Sequence, residues 1–141
     1  MDMGFTEDAK ALNNAAILTM LDAGCAKADA MGQPQCLVIV DASGVDLGAL
    51  RMRGAKFLSL RSARAKAETA ASTGAQSAKI PEGIRMAIAQ ASGGAVTGLA
   101  GGLPIYMGGV LVGGVGVGSG SGIQDIEVAE TMLAAIGADP A

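Results

Sequence analysis

Residues 103–118 read LPIYMGGVLVGGVGVG, and this stretch decides the fold class. Two strand-prone runs, Leu103 to Met107 and Val110 to Val117, flank Gly108-Gly109. That dipeptide tolerates the positive φ angles of a tight hairpin turn. In the second run Gly114, Gly116 and Gly118 alternate with Val115 and Val117. The two-residue period of a strand puts all three glycines on one face and the valines on the other, core-side face. A strand face without side chains leaves room for a ligand, a helix or another subunit's backbone.

The hairpin lies inside a longer uncharged segment, because no charged residue falls between Arg85 and Asp125. Hydropathy alone would read this segment as a membrane span. Ser92-Gly93-Gly94, Gly101-Gly102, Pro104 and Gly108-Gly109 interrupt it too often for one continuous helix, so a buried sheet is expected and no membrane partner.

Towards the C-terminus, Ser119 to Gly122 reads as a flexible loop before a helix from about Gln124 to Ile136, stopped by Gly137. Towards the N-terminus, a short helix from Pro81 to Ala91 precedes the glycine-rich segment. A longer helix from about Phe57 to Thr73 ends at Gly74. Before it, the apolar run Cys36 to Val40, a turn at Ser43-Gly44 and Val45 to Arg51 make a first hairpin. Residues 52–56 form a loop. The chain opens with a helix from about Thr6, its expected N-cap, to Met31, with a stripe of Leu12, Ala16, Thr19, Met20, Ala23 and Ala30. Gly32 and Pro34 stop it. The order is α-β-β-α-α-β-β-α in one domain of 141 residues. Strands paired as hairpins predict an α+β fold with a mainly antiparallel sheet flanked by helices.

Composition excludes several functions. Net charge is −3, and aromatics make up 2% of the chain, which argues against nucleic-acid binding by a basic surface or a stacking platform. Histidine is absent, which removes Ser-His-Asp and Cys-His catalysis, histidine–zinc sites and histidine-ligated haem. Cys25 and Cys36 lack metal-site spacing, so no metal site is expected. They read as small buried hydrophobes in a reducing compartment. The acidic start, with Asp2, Glu7 and Asp8, does not resemble a signal peptide, and a cytoplasmic location is expected.

Positive charge is unevenly placed. Arg51, Arg53, Lys56, Arg61, Arg64 and Lys66 are six of the ten basic residues, and no acidic residue lies between Asp46 and Glu68. Such a concentration attracts anions such as carboxylates, although a solvated basic face or pairing with acidic residues of this or another subunit would also explain it. On a helical wheel Arg61, Arg64 and Glu68 share one side, with Arg64 and Glu68 spaced to pair. Lys66 falls opposite, near Ser59, Ser62, Ala63, Ala70 and Thr73. There it could line a partly buried pocket as an acid or base, or snorkel to water along an alanine-rich face. The loop Gly118 to Gly122 lacks phosphate-cradle spacing, and Asp125 and Glu127 would oppose a phosphate at the helix that follows. Asp125 reads first as a cap or first-turn dipole partner. A catalytic Asp125 or Glu127 would have to aim into a pocket near Lys66 or Arg51.

An ordered set of segments resembles the GlcG/HbpS-like family, which includes the C-terminal domain of PduO-type proteins and is often labelled haem-degrading. The segments are Val38-Ile39-Val40-Asp41-Ala42 with Gly44, Arg51-Met52 with Gly54-Ala55, and Lys66-Ala67 with Thr69-Ala70. Gly101-Gly102-Leu103-Pro104-Ile105, Gly113 to Val117 and the helix with Asp125 and Ala129 follow. The resemblance implies a profilin-like sandwich, a symmetric homo-oligomer and a ligand pocket. It departs at Arg53, where the family commonly has Asp, and in lacking a histidine for haem. Methionine, Tyr106, cysteine or lysine ligation stays open.

The leading expectation is a metal-free, cofactor-independent catabolic enzyme, a hydrolase, deaminase, isomerase or lyase acting on a small unsaturated organic acid. Lys66 would be acid or base, and Asp125 or Glu127 would orient water or shuttle protons. Arg51 and Arg53 would hold carboxylates, with Gly54, Gly102, Tyr106 and Gly116 completing the substrate-binding set. The alternatives are a haem-binding or haem-handling module and a non-catalytic oligomeric accessory protein.

Overall fold

The computed structural model describes residues 2–141. The elements are α1 (Asn14–Met31), β1 (Cys36–Asp41), β2 (Asp46–Arg51), α2 (Ser59–Thr73), α3 (Arg85–Ala91), β3 (Gly102–Met107), β4 (Val110–Gly118) and α4 (Gly122–Ala135). Short 3-10 turns at Ser77–Lys79 and Glu82–Ile84 precede α3. The expected element order and the α+β class are observed.

Both hairpins form, and they join through β1 and β4 to give one sheet in the order β2-β1-β4-β3, antiparallel throughout. The β3–β4 turn uses Gly108 and Gly109 at φ 58° and 81°, angles that side chains rarely adopt. Since β1 and β4 are central, both their faces are buried. Leu37, Ile39, Val115 and Val117 pack with Ile17, Met20, Val128 and Met132 of α1 and α4. Cys36, Val38 and Val40 pack on the opposite face against Ala63, Ala67 and Ala71 of α2.

The glycine stripe is filled from within the same chain. A Cβ on Gly114 or Gly116 would overlap the carbonyl oxygen of Ala67 or Ala63, and one on Gly118 would lie 2.9 Å from that of Ser59. The alanines of α2 and the glycines of β4 bring two backbones together, and no room remains for a ligand at Gly116.

Several boundaries differ from expectation. α1 begins at Asn14, because Asn13 caps it by accepting the Ala16 N–H at 2.9 Å, whereas the Thr6 hydroxyl bonds Asp2. Its buried positions are Ile17, Met20, Gly24 and Ala28, while Thr19 and Ala30 are exposed. The helix is rolled towards its smallest residue: a Cβ on Gly24 would lie 2.8 Å from Leu37 Cδ1 and 3.0 Å from Met132. α4 starts before Gln124 because Ser121 is its N-cap in a capping box with Gln124, so Asp125 is not the cap. Arg64 pairs with Asp46 rather than Glu68, since α2 lies beside β2.

Candidate functional site

The strand ends at Cys36 and Gly118, the loop after β4 and the start of α4 meet at one end of the sheet. There α2 presents Lys66 towards α4. Lys66 is 4% exposed and Asp125 2%. Lys66 Nζ donates to Asp125 Oδ2 at 2.9 Å and to the Val117 carbonyl at 2.7 Å. The other carboxylate oxygen, Oδ1, accepts the Gly120 N–H at 3.1 Å. Burial of both charges is sustained by this mutual pairing and by backbone partners. The Lys66 side chain therefore does not snorkel to water.

Gln35 completes the cluster. It is fully buried just before β1, and its Oε1 accepts the Gly120 N–H at 2.9 Å. Its Nε2 is a buried donor without a partner among the described residues. Sequence reasoning missed Gln35; the only signal was a polar residue joined directly to the apolar run Cys36 to Val40. Cys36 is buried beside it, and burial pushes its thiol pKa up, with Arg51 partly opposing and Asp125 adding to the rise.

Lys66 and Asp125 form the floor of a recess of about 260 Å3, walled by Ser59, Ser62, Leu99, Ala100, Ser119 and Gly120, with exposed Lys56 at its edge. A larger recess, about 580 Å3, lies between the β1–β2 turn and α2, but its only charged lining residue is Glu68. Of these two, only the smaller recess holds both a cation and an anion.

The structure brings Lys66 and Asp125 together and leaves the other named residues elsewhere. Glu127 is exposed on a different side of α4. Arg51 ends β2 and Arg53 lies in the following turn; both are exposed and neither lines the recess within one chain. Gly54 sits in that turn at φ 91°. Gly102 is packed so closely that a Cβ would overlap the Lys66 carbonyl, and its N–H donates to Ser77 Oγ at 2.9 Å. Tyr106 O–H donates to the Gly74 carbonyl at 2.8 Å, tying β3 to the C-terminal end of α2. Among the described residues no group of three or more cysteine, aspartate or glutamate side chains could hold a metal ion, and no helix is long and apolar enough to cross a membrane.

Residues 12–134 match the family model described as haem degrading protein HbpS-like. A curated relative, the corrinoid adenosyltransferase PduO of Citrobacter freundii, is 32% identical over 135 residues, covering 92% of this chain and 40% of that protein. The chain thus spans less than half the length of that relative. Among solved structures, the PduOC:heme complex superposes with a TM-score of 0.86 at 27% identity, covering 93% of this chain and 99% of the other. A double mutant of Streptomyces reticuli HbpS gives 0.83 at 30% identity, covering 93% and 90%. Klebsiella pneumoniae protein ORFY, at 23% identity and a TM-score of 0.88 over 94% of each chain, shares the fold.

These relatives overturn the expectation of a metal-free enzyme acting on a small unsaturated acid. Neither the matched family nor the structural relatives point to a hydrolase, deaminase, isomerase or lyase, and one of those relatives is a haem complex. The geometry agrees, since Arg51 and Arg53 do not converge with Lys66 on one cavity. By sequence over most of its length and by fold, the chain belongs to the haem-degrading-protein, HbpS-like family.

Proposed function

We propose that the protein is a haem-handling module that binds a tetrapyrrole without acting through the metal. The observation that carries this reading is the near full-length likeness to a chain whose structure is a haem complex. The haem of that relative and the corrinoid named for PduO are both tetrapyrrole macrocycles, which supports the same ligand class.

The residues present do not fit firm axial ligation of iron. There is no imidazole. Cys36 is buried, and at half-buried Cys25 burial, with Asp29 and Asp22 nearby, pushes the thiol pKa up and disfavours the ligating thiolate. Lys66 is held by Asp125, and the Tyr106 hydroxyl is engaged by Gly74. Met86 is 87% exposed beside a recess of about 420 Å3 that Glu82 and Arg85 also line, but a thioether is a weak, soft ligand. No step is therefore assigned to the iron. Titrating the protein with haemin and following the Soret band tests the proposal. A saturable shift at a fixed ratio to protein is expected, and a spectrum no different from haemin in buffer overturns it.

Self-association is part of the same proposal. β2 is an edge strand with an unpaired side, and Leu47 and Leu50 on it are 37% and 39% exposed. An edge bearing apolar side chains is a template for pairing with another copy.

A further inference from the structure

Resting on the haem-handling reading, we infer that the recess over Lys66 is a carboxylate subsite, and that the ligand is recognised by its acid groups and its apolar plane rather than by its metal. Beside the recess lies an apolar shelf of about 490 Å3, where Phe57 and Leu58 stand 70% and 58% exposed. Recess and shelf share Lys56, Ser59 and Ser62, so they form one continuous surface that is apolar on one side and cationic on the other. Leu99, 56% exposed, lines the far wall of the recess. A ligand matching this surface needs a broad apolar body with carboxylates confined to one edge. A porphyrin carrying propionates has that shape, and a shelf of this size suits a pocket for a small molecule.

The charge balance favours an incoming carboxylate. Asp125 faces the recess too, but its two oxygens are taken by Lys66 and Gly120, and it offsets only Lys66. Lys56 remains as uncompensated positive charge at the rim. Arg51 at the end of β2, Arg53 in the turn after it and Arg61 in the first turn of α2 are exposed and form no ion pair among the described residues. An ammonium has three donors, and Lys66 spends two on Asp125 and Val117, leaving one for a ligand. Desolvated charge-assisted hydrogen bonds of this kind are the strong ones.

Fluorescence and absorbance titrations with three probes test the inference: haemin, metal-free protoporphyrin, and its neutral dimethyl ester. Each is run on the wild-type chain, on Lys56→Glu, and on Lys10→Glu, which makes the same charge change near the β3–β4 turn. Haemin and protoporphyrin should bind with affinities within a few-fold of each other, and the diester at least tenfold more weakly. Lys56→Glu should weaken both acids by roughly tenfold, and Lys10→Glu should leave them unchanged. If haemin binds while protoporphyrin does not, or the diester binds as well as the diacid, the inference falls while haem binding itself stands. Equal effects of the two lysine substitutions also overturn it. If none of the probes binds, both fall.

Discussion

At the scale of single residues, the Lys66–Asp125 pair concentrates the risk in this structure. Both side chains are almost wholly buried, so removing one leaves an uncompensated charge in a low-dielectric interior. Lys66→Met is expected to lower unfolding stability by about 3–5 kcal/mol, and Lys66→Met with Asp125→Leu to recover much of that loss, as read from urea denaturation. A single substitution as stable as wild type would show that the pair carries no such cost. Cys36 gives a pH dependence of known sign. Burial raises its thiol pKa above the ordinary 9.0. The unfolded chain then loses its proton first as pH rises, binds fewer protons than the native chain, and becomes favoured. Stability should be fully present below pH 9.0 and fall above it, with a shallower fall in Cys36→Ala. Equal slopes in the two proteins would refute this. Lys66 was legible as unusual, because it is a lone cation among small residues on one helix face. Its partner was not, because Asp125 lies 59 residues away and sequence spacing is silent about such contacts.

At the scale of elements, the α2–β4 contact is the tightest packing in the molecule. Gly116→Ala puts a methyl group onto the Ala63 carbonyl, and neither backbone can yield without breaking the sheet or the helix. A loss of about 3 kcal/mol or more is expected in thermal or chemical denaturation. Gly83→Ala is the control: nothing lies within 4 Å of its added carbon, and the change should be neutral or stabilise by about 0.5 kcal/mol. Ser121→Ala removes the cap and half the capping box of α4; a cost of about 1 kcal/mol is expected by the same measurement. The glycine alternation was readable as a close approach, since period-two spacing leaves little choice about which face the glycines share. What approaches was not readable, because a ligand, a helix and a second subunit all satisfy a bare strand face. The start of α1 was misjudged for a local reason: Thr6 and Asn13 are both acceptable caps, and only the packing of Ile17 onward decides where helix becomes worthwhile.

At the scale of the whole molecule, two helical layers enclose a sheet whose two central strands are buried on both faces, while β2 stays exposed along one edge. Light scattering should give more than one copy per particle, and Leu50→Lys should shift the population towards monomer without altering the circular dichroism spectrum. A wild-type chain that scatters as a monomer at all concentrations would remove the proposed edge pairing. The amino-acid order by itself determined the number and type of elements, the two hairpins and their turns. It also determined the antiparallel class and the absence of an imidazole for iron. Those follow from short-range physics: strand and helix periodicity, glycine's access to positive φ, and an inventory of side chains. Only the tertiary structure decided that β1 and β4 are neighbours, that α2 fills the glycine face, and that Lys66 meets Asp125 while Arg51 and Arg53 stay apart from it. Those outcomes depend on how two hairpins dock, and docking is set by the burial of whole faces against one another, which no local window of sequence contains.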